Sequence, residues 1–341
     1  MTVPSVRIRS INDAAVRNEG EYVLYWMVAF RRTRYNFALQ RAAEEAARLG
    51  KPLLVLEALR AGYRWASDRL HRFAIDGMAD NARACADAGV AYHAYLEPEH
   101  GDAKTLLADF SAPACLVVTD DFPAFFIPRM LESAGGHLDV KLECVDANGL
   151  LPMRSTERVF SRAVDFRRYL QKSLLPHLEE VPVEEPLETS GLRKDFSTPK
   201  ALLDAWPKVD NELLEGRRGL DDFAIDHSVP PSRIKGGAQE AGRRWKAFVE
   251  ERLDRYHEGR NDPDDEVSSG LSPHLHWGHI STHELFADLV RREDWKPSAT
   301  AGRANGKREG WWGFSSGVEA FLDELVTWRE LGFNMASHRA D

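Results

Sequence analysis

The chain has 341 residues and a mass of 38.5 kDa, so at roughly 100 to 200 residues per domain it holds about two domains with a sizeable core. Its 43% hydrophobic and 29% charged residues exclude the disordered and collagenous classes. The longest apolar run, residues 22–30, falls far short of the roughly 20 residues of a membrane-spanning helix. Lys and Arg number 45 against 54 Asp and Glu, a net charge of −9, which is not the footprint of a dedicated nucleic-acid binder.

The first ten residues lack the apolar core of a signal peptide, so a cytoplasmic location is expected. Up to about residue 150, β-rich apolar runs alternate with longer amphipathic stretches. Five strands are expected at 22–30, 52–59, 91–96, 115–119 and 140–145. Between them, 36–49 and 66–88 carry the three- and four-residue apolar spacing of helices. Alternation of this kind predicts a doubly wound, Rossmann-like α/β domain with a mostly parallel sheet. The first strand runs into Arg31-Arg32-Thr33-Arg34 and no GxGxxG occurs, so ordinary dinucleotide binding is poorly supported. Cys85, Cys115 and Cys144 form no CxxC pair and are expected as reduced core residues.

Residues 151–198 read as a helix, 159–175, and a Pro- and Glu-rich linker at 179–186. Arg154 to Lys172 holds six basic residues against two acids, which is either a local basic surface or a solvated helix face. From 199 to 341 every pattern is helical, with candidates at 199–205, 237–256, 281–292 and 318–333, so an all-α second domain is expected.

Chemistry concentrates in that part. Ser268, Ser269 and Gly270 can offer hydroxyls and backbone N–H groups to a phosphate, or simply cap the helix that follows. His274, His276, His279 and His283 crowd together, but without an HExxH arrangement or a carboxylate set no metal site is expected. On the final helix, Val318, Leu322, Leu325 and Val326 form the core stripe. Glu324 falls between Phe321, Trp328 and Leu331, a carboxylate framed by two aromatic rings. Burial there would raise its pKa and make it a proton donor; otherwise it is an ordinary helix-edge residue.

Four segments together carry a resemblance. They are Gly20-Glu21-Tyr22-Val23-Leu24-Tyr25-Trp26-Met27 with Arg31, Arg32 and Asn36; Arg255-Tyr256 through Asp262-Pro263; Ser269-Gly270-Leu271-Ser272-Pro273-His274-Leu275-His276-Trp277-Gly278; and Glu324-Leu325-Val326-Thr327-Trp328-Arg329-Glu330-Leu331. In order and spacing the chain resembles class II cyclobutane pyrimidine dimer photolyases, of the photolyase and cryptochrome family. The resemblance implies an antenna-type α/β domain over 1–150, a helix and linker over 151–198, and a helical FAD-binding domain from 199. It implies DNA containing pyrimidine dimers as partner, the dimer being extruded from the duplex, and a monomer when full length. Tyr256, Ser268, Ser269, Gly270, Leu271 and Ser272 would hold the FAD phosphates and ribityl chain. Glu324 and Trp328 would face the dimer, Glu324 donating a hydrogen bond or proton to a dimer carbonyl, with Arg260 near the DNA backbone. An antenna chromophore of unknown identity is also implied.

Family members continue well beyond the Arg-Glu-Leu helix, so the FAD-binding domain is expected to be incomplete at Asp341. FAD would then be held weakly or not at all, and Phe321, Leu325, Trp328 and Phe333 would form an exposed apolar patch. The function expected is that of a deoxyribodipyrimidine photolyase or a fragment of one. The alternatives are a non-catalytic cryptochrome-like sensor, a truncated DNA-binding relative, or a nucleotide-binding α/β protein whose helical part only dimerises.

Overall fold

A computed structural model of the chain describes residues 2–339. Its sheet has six strands: β1 (Ile8–Ser10), β2 (Tyr22–Met27), β3 (Leu53–Leu59), β4 (Ala91–Leu96), β5 (Ala114–Asp120) and β6 (Leu142–Val145), in the order β1-β6-β5-β2-β3-β4. All neighbours are parallel except β1, which runs antiparallel to β6 with Arg9 opposite Cys144. The five expected strands are present and β1 is an addition. β2 stops at Met27 because the next three N–H groups, of Val28, Ala29 and Phe30, turn onto the Asp120 carboxylate at 2.7 to 2.8 Å.

Alternation along β2 sorts its side chains onto the two faces. Val23, Tyr25 and Met27 pack with α1 (Phe37–Leu49) and α2 (Asp68–Asp87). Tyr22, Leu24 and Trp26 pack with α3 (Leu106–Ser111) and α4 (Ile127–His137). The domain is therefore doubly wound. Asn36 starts α1: its Oδ1 accepts from Ala38 and Leu39 N–H at 3.0 and 3.2 Å, and its Nδ2 donates to the Tyr25 hydroxyl and the oxygens of Phe30 and Arg32. Cys85, Cys115 and Cys144 are free and buried.

After α5 (Ala163–Ser173), the Pro- and Glu-rich stretch is tied down rather than loose. Val183 N–H donates to Gln40 Oε1 at 2.9 Å, and Arg34 pairs with Glu184 and Glu185. The segment that follows returns to the sheet. Leu202 and Trp206, at α6 (Lys200–Ala205), pack on one face, and Leu213 and Leu214, of α7 (Asn211–Leu214), on the other. The remaining helices are α8 (Ala238–Glu251), α9 (Tyr256–Gly259), α10 (Ser272–His276), α11 (Thr282–Arg292), α12 (Ser316–Leu322) and α13 (Arg329–His338), with a π-helical turn at Asp323–Trp328 between the last two. Their core is contiguous with Leu150, Phe160, Phe166 and Leu170. None of the described helices is long and apolar enough to cross a membrane.

The two halves meet at the loop after β6. Arg7, fully buried, donates to the oxygens of Asp146, Gly149 and Leu150, and Glu330 accepts from the N–H groups of Leu150 and Leu151 at 2.7 and 3.1 Å. A Cβ at Gly149 would lie 2.5 Å from Glu330 Oε1, so a side chain there would displace that carboxyl from its two N–H donors. Burial lifts the Glu330 carboxyl to about 8, against an ordinary value of 4.5. The folded state thus keeps a proton that the unfolded chain has lost in that window. The stability carried by this group is complete below the ordinary value and is lost as pH rises through about 8. Glu330→Gln should flatten the fall in stability across that window, which can reach at most about 1.4 kcal/mol per pH unit. Urea unfolding at a series of pH values measures it.

Candidate functional site

The π-turn is the most distinctive local feature of the helical half. Its i→i+5 bonding inserts extra backbone into an otherwise continuous helix, a distortion frequent at functional sites. It is held from behind: the Asp323 carboxylate, 2% exposed, pairs with Arg167 of α5 at 2.9 Å, and Leu325 and Val326 are buried in the core. Val318 and Leu322 complete the expected core stripe. Glu324 and Trp328 face outward, with Glu324 45% and Trp328 51% exposed.

Of the four residues expected in an exposed apolar patch, Trp328 alone is exposed. Phe321 packs against Trp245, Phe248 and Tyr256 at centroid distances of 5.4, 5.1 and 5.8 Å. Phe333 lies edge-on to Phe122, and Leu325 is 4% exposed. The aromatic side chains of α8 and α9 cover that surface.

Arg260, just after α9, donates from Nη1 to Glu324 Oε1 at 2.7 Å and to the oxygen of Ala320 at 3.2 Å. Its side chain is 9% exposed, so the guanidinium turns inward to Glu324 and away from solvent. Glu324 is therefore a half-exposed carboxylate with a fixed cation, and the buried, framed carboxylate expected from helix geometry is not what forms. Tyr256 lies beneath this pair, edge-on to Phe248 and Phe321. Burial, and then the charge of Glu324, push its hydroxyl above the ordinary tyrosine value. The structure brings Tyr256, Arg260 and Glu324 together, with Trp328 about one turn further along the exposed face.

The loop 268–272 forms a separate group. Ser268 and Ser272 are exposed, Ser269 Oγ accepts from Leu271 N–H at 3.3 Å, and Leu271 is buried in the helical core. Gly270 has φ +65°, and a Cβ there would stand 3.3 Å from Arg244 Nη1. An open hydroxyl-lined turn beside a guanidinium fits an anionic group such as a phosphate. The loop then enters α10, and the histidines between there and α11 serve the fold. His274 Nε2 meets Lys235 O at 3.0 Å, His279 Nδ1 accepts from Gly237 N–H at 2.9 Å, and His283 Nε2 meets Gly149 O at 3.1 Å. Burial holds His279 and His283 well below the ordinary histidine value.

A second polar cluster, not anticipated from sequence, lies at the carboxyl ends of β2 and β3. Arg31 pairs with Glu57 at 2.9 Å, and Glu57 also accepts from Asn81 and Tyr92. The Tyr63 ring stacks on His71 at 5.8 Å. The Tyr63 hydroxyl and both His71 nitrogens are buried without a hydrogen-bond partner. Trp65 and Phe125 stand exposed on the loops that follow β3 and β5. A cavity of about 510 Å3 lies elsewhere, beside Ser5, Arg154, Tyr169 and His177. Its strongest donors are already committed: Arg154 to Asp121 and the oxygens of Val6 and Arg7, and the Tyr169 hydroxyl to Ser155 O.

No protein-family model matches the chain. Curated proteins to which it is similar include the deoxyribodipyrimidine photo-lyases of Methanothermobacter thermautotrophicus, Arabidopsis thaliana and Potorous tridactylus. The first is 29% identical over 336 residues, which are 97% of this chain and 65% of that protein. The second is 26% identical over 325 residues, 93% of this chain and 59% of the relative. The third is 25% identical over 349 residues, 98% and 58% respectively. The chain thus spans less than two thirds of the length of these curated relatives. Among solved structures, a bacterial class III photolyase from Agrobacterium tumefaciens superposes with a TM-score of 0.64 at 20% identity, covering 94% of this chain and 59% of that one. An archaeal photolyase from Sulfolobus tokodaii, solved with two FAD molecules, gives 0.59 at 14% identity, covering 93% and 60%. The fold is photolyase-like, an α/β sheet domain joined to helices.

Because the π-turn leans on one buried ion pair, Arg167→Ala should destabilise the protein by about 3 to 5 kcal/mol, leaving Asp323 charged and unpaired. Arg167→Lys should recover part of the loss, since it restores charge without the two-pronged geometry. Denaturant midpoints of the two variants decide this.

Proposed function

We propose that this chain is a deoxyribodipyrimidine photolyase or a fragment of one, whose activity is light-driven electron-transfer repair of cyclobutane pyrimidine dimers in DNA. The observation that carries the reading is the exposed face of the π-turn, where a carboxylate with its own cation and a half-exposed tryptophan stand together above an aromatic floor. The similarity to photo-lyases along almost the whole chain supports it. The motifs favour the class II branch, and the proposed division is an antenna-type sheet domain, onto which residues 200–214 fold back, and a FAD-binding helical domain after it, in a cytoplasmic monomer.

The loop residues Ser268, Ser269, Gly270, Leu271 and Ser272, with Tyr256, would hold the phosphate and ribityl parts of FAD. The left-handed Gly270 beside Arg244 leaves room there that a side chain would fill. When bound, FAD supplies the light absorption and the electron that opens the dimer. The residues of this chain orient the target. Trp328 offers a ring face on which an extruded pyrimidine can stack. Glu324 accepts from Arg260 through Oε1, so its other oxygen suits an imide N–H of the base. Arg260 thereby acts on DNA through Glu324, as a positioning residue. The partnerless Tyr63 and His71 groups at the sheet's carboxyl end are where an antenna chromophore would be held.

The test is dimer loss from an irradiated oligonucleotide incubated with FAD-reconstituted protein under blue light and in the dark. Repair should require light. Glu324→Gln should lower the yield of repair more than the affinity for DNA, because it removes the charge set by Arg260 while keeping the side chain's size. Trp328→Ala should weaken binding to dimer-containing DNA by roughly 1 to 3 kcal/mol, with little change for undamaged DNA. An unchanged yield in Glu324→Gln with FAD and DNA still bound would remove Glu324 from the active face.

A further inference from the structure

A basic surface lies beside the π-turn, built by two segments distant in sequence. The connector from Lys296 to Gly310 is fastened along α5 by its backbone. Gln171, 6% exposed, donates to Lys307 O at 3.0 Å and accepts from Gly306 N–H at 2.8 Å. Arg167 donates to Gly306 O at 3.1 Å and Arg168 to Asn305 O at 3.3 Å. Gly306 sits at φ +77°, and a Cβ there would come within 2.7 Å of Val164 O, so the close approach depends on glycine. A loop that was merely a solvated connection would not need a buried glutamine turned wholly to its backbone.

The fastening sets the loop that carries Arg303, Lys307 and Arg308 along α5, which carries Arg168 and Lys172 and has Arg162 just before it, all exposed. Among the described residues, Asp165 pairs with Arg162 and Arg168, and Glu309 with Arg308. Lys172, Arg303 and Lys307 make no ion pair among the described residues. In a chain of net charge −9 this is a concentrated positive face. It is linked to the proposed dimer site through one side chain: the Arg167 that holds Gly306 also holds Asp323, the residue before Glu324.

We infer that the fastened 303–308 loop and the outer face of α5 form a phosphate track that grips the duplex backbone flanking the dimer. This rests on the photolyase reading and deepens it. The backbone that carries the loop cations is fastened before DNA arrives, so less loop freedom is lost on binding. Phosphate contacts carry no damage information, so the track supplies sequence-independent, salt-sensitive docking while Trp328 discriminates the lesion.

The experiment titrates the full chain with an undamaged duplex and with the same duplex carrying one dimer, following anisotropy over a range of salt concentrations. It compares the wild type with the triple variant Lys172→Gln, Arg303→Gln, Lys307→Gln. These side chains have no ion-pair partners, so the fold should be kept, and circular dichroism checks it. The plot of log affinity against log salt should become shallower by about 0.9 for each cation lost, ~2.7 for all three, and equally for both duplexes. A triple variant with the wild-type slope overturns the track and leaves the photolyase reading standing. Binding of neither duplex by the wild type contradicts both. Charge-dependent binding to vesicles of anionic phospholipid with no duplex binding assigns the face to a membrane surface and overturns the proposal.

Discussion

The arrangement of the two halves depends on how the loop after β6 is gripped. Between Asp146 and Leu151 the chain leaves the sheet and exposes a run of backbone groups that would be costly to bury unpaired. Side chains from widely separated parts of the sequence satisfy them: Arg7 at the oxygens of Asp146, Gly149 and Leu150, Arg329 at Asn148 O, His283 at Gly149 O, and Glu330 at two N–H groups. The helix bearing Arg329 and Glu330 is the direct continuation of the π-turn, so the joint that docks α13 on the sheet domain also fixes where Glu324 and Trp328 stand. Buried polar joints of this kind specify one geometry because a shifted register leaves charges unpaired.

Charge placement also shapes what each half can bind. In doubly wound folds the crevice where strand order reverses receives ligands at the carboxyl ends of the strands. Here that crevice, between β2 and β5, is filled from within, because Asp120 occupies the three N–H groups of residues 28–30 that could otherwise cradle a phosphate. The open polar groups of the sheet end lie to the side, at Tyr63 and His71, and the anion-friendly turn lies in the helical half, at Gly270 beside Arg244.

Much of the sheet was legible because its strands are dense in aliphatic and aromatic residues and its helices are amphipathic. β1 was not: Ile8, Arg9 and Ser10 have no alternation, and the strand exists only because β6 offers an edge. The packing of Leu202, Trp206, Leu213 and Leu214 back onto the sheet was equally hidden, since a helical pattern does not say which core it joins. At the site, sequence and resemblance singled out Tyr256, Arg260, Glu324 and Trp328, and periodicity gave the buried stripe of Val318, Leu322, Leu325 and Val326. What periodicity could not reveal was the π-turn, or that Arg260 reaches Glu324 across 64 positions of sequence and turns its charge inward. From sequence the basic run from Arg154 to Lys172 reads equally as a basic surface or a solvated face, and no pattern shows that the 303–308 loop is fastened to it.

The proposed repair requires light to reach the dimer through a bound flavin oriented by this chain. The most direct measurement is the action spectrum of dimer loss: FAD-reconstituted protein and dimer-containing DNA are illuminated at a series of wavelengths, and the initial repair rate per absorbed photon is recorded. The account predicts a repair rate that follows the absorption of the bound flavin and vanishes in the dark. Dimer loss that proceeds equally in the dark, or no loss at any wavelength with FAD and DNA both bound, would contradict it.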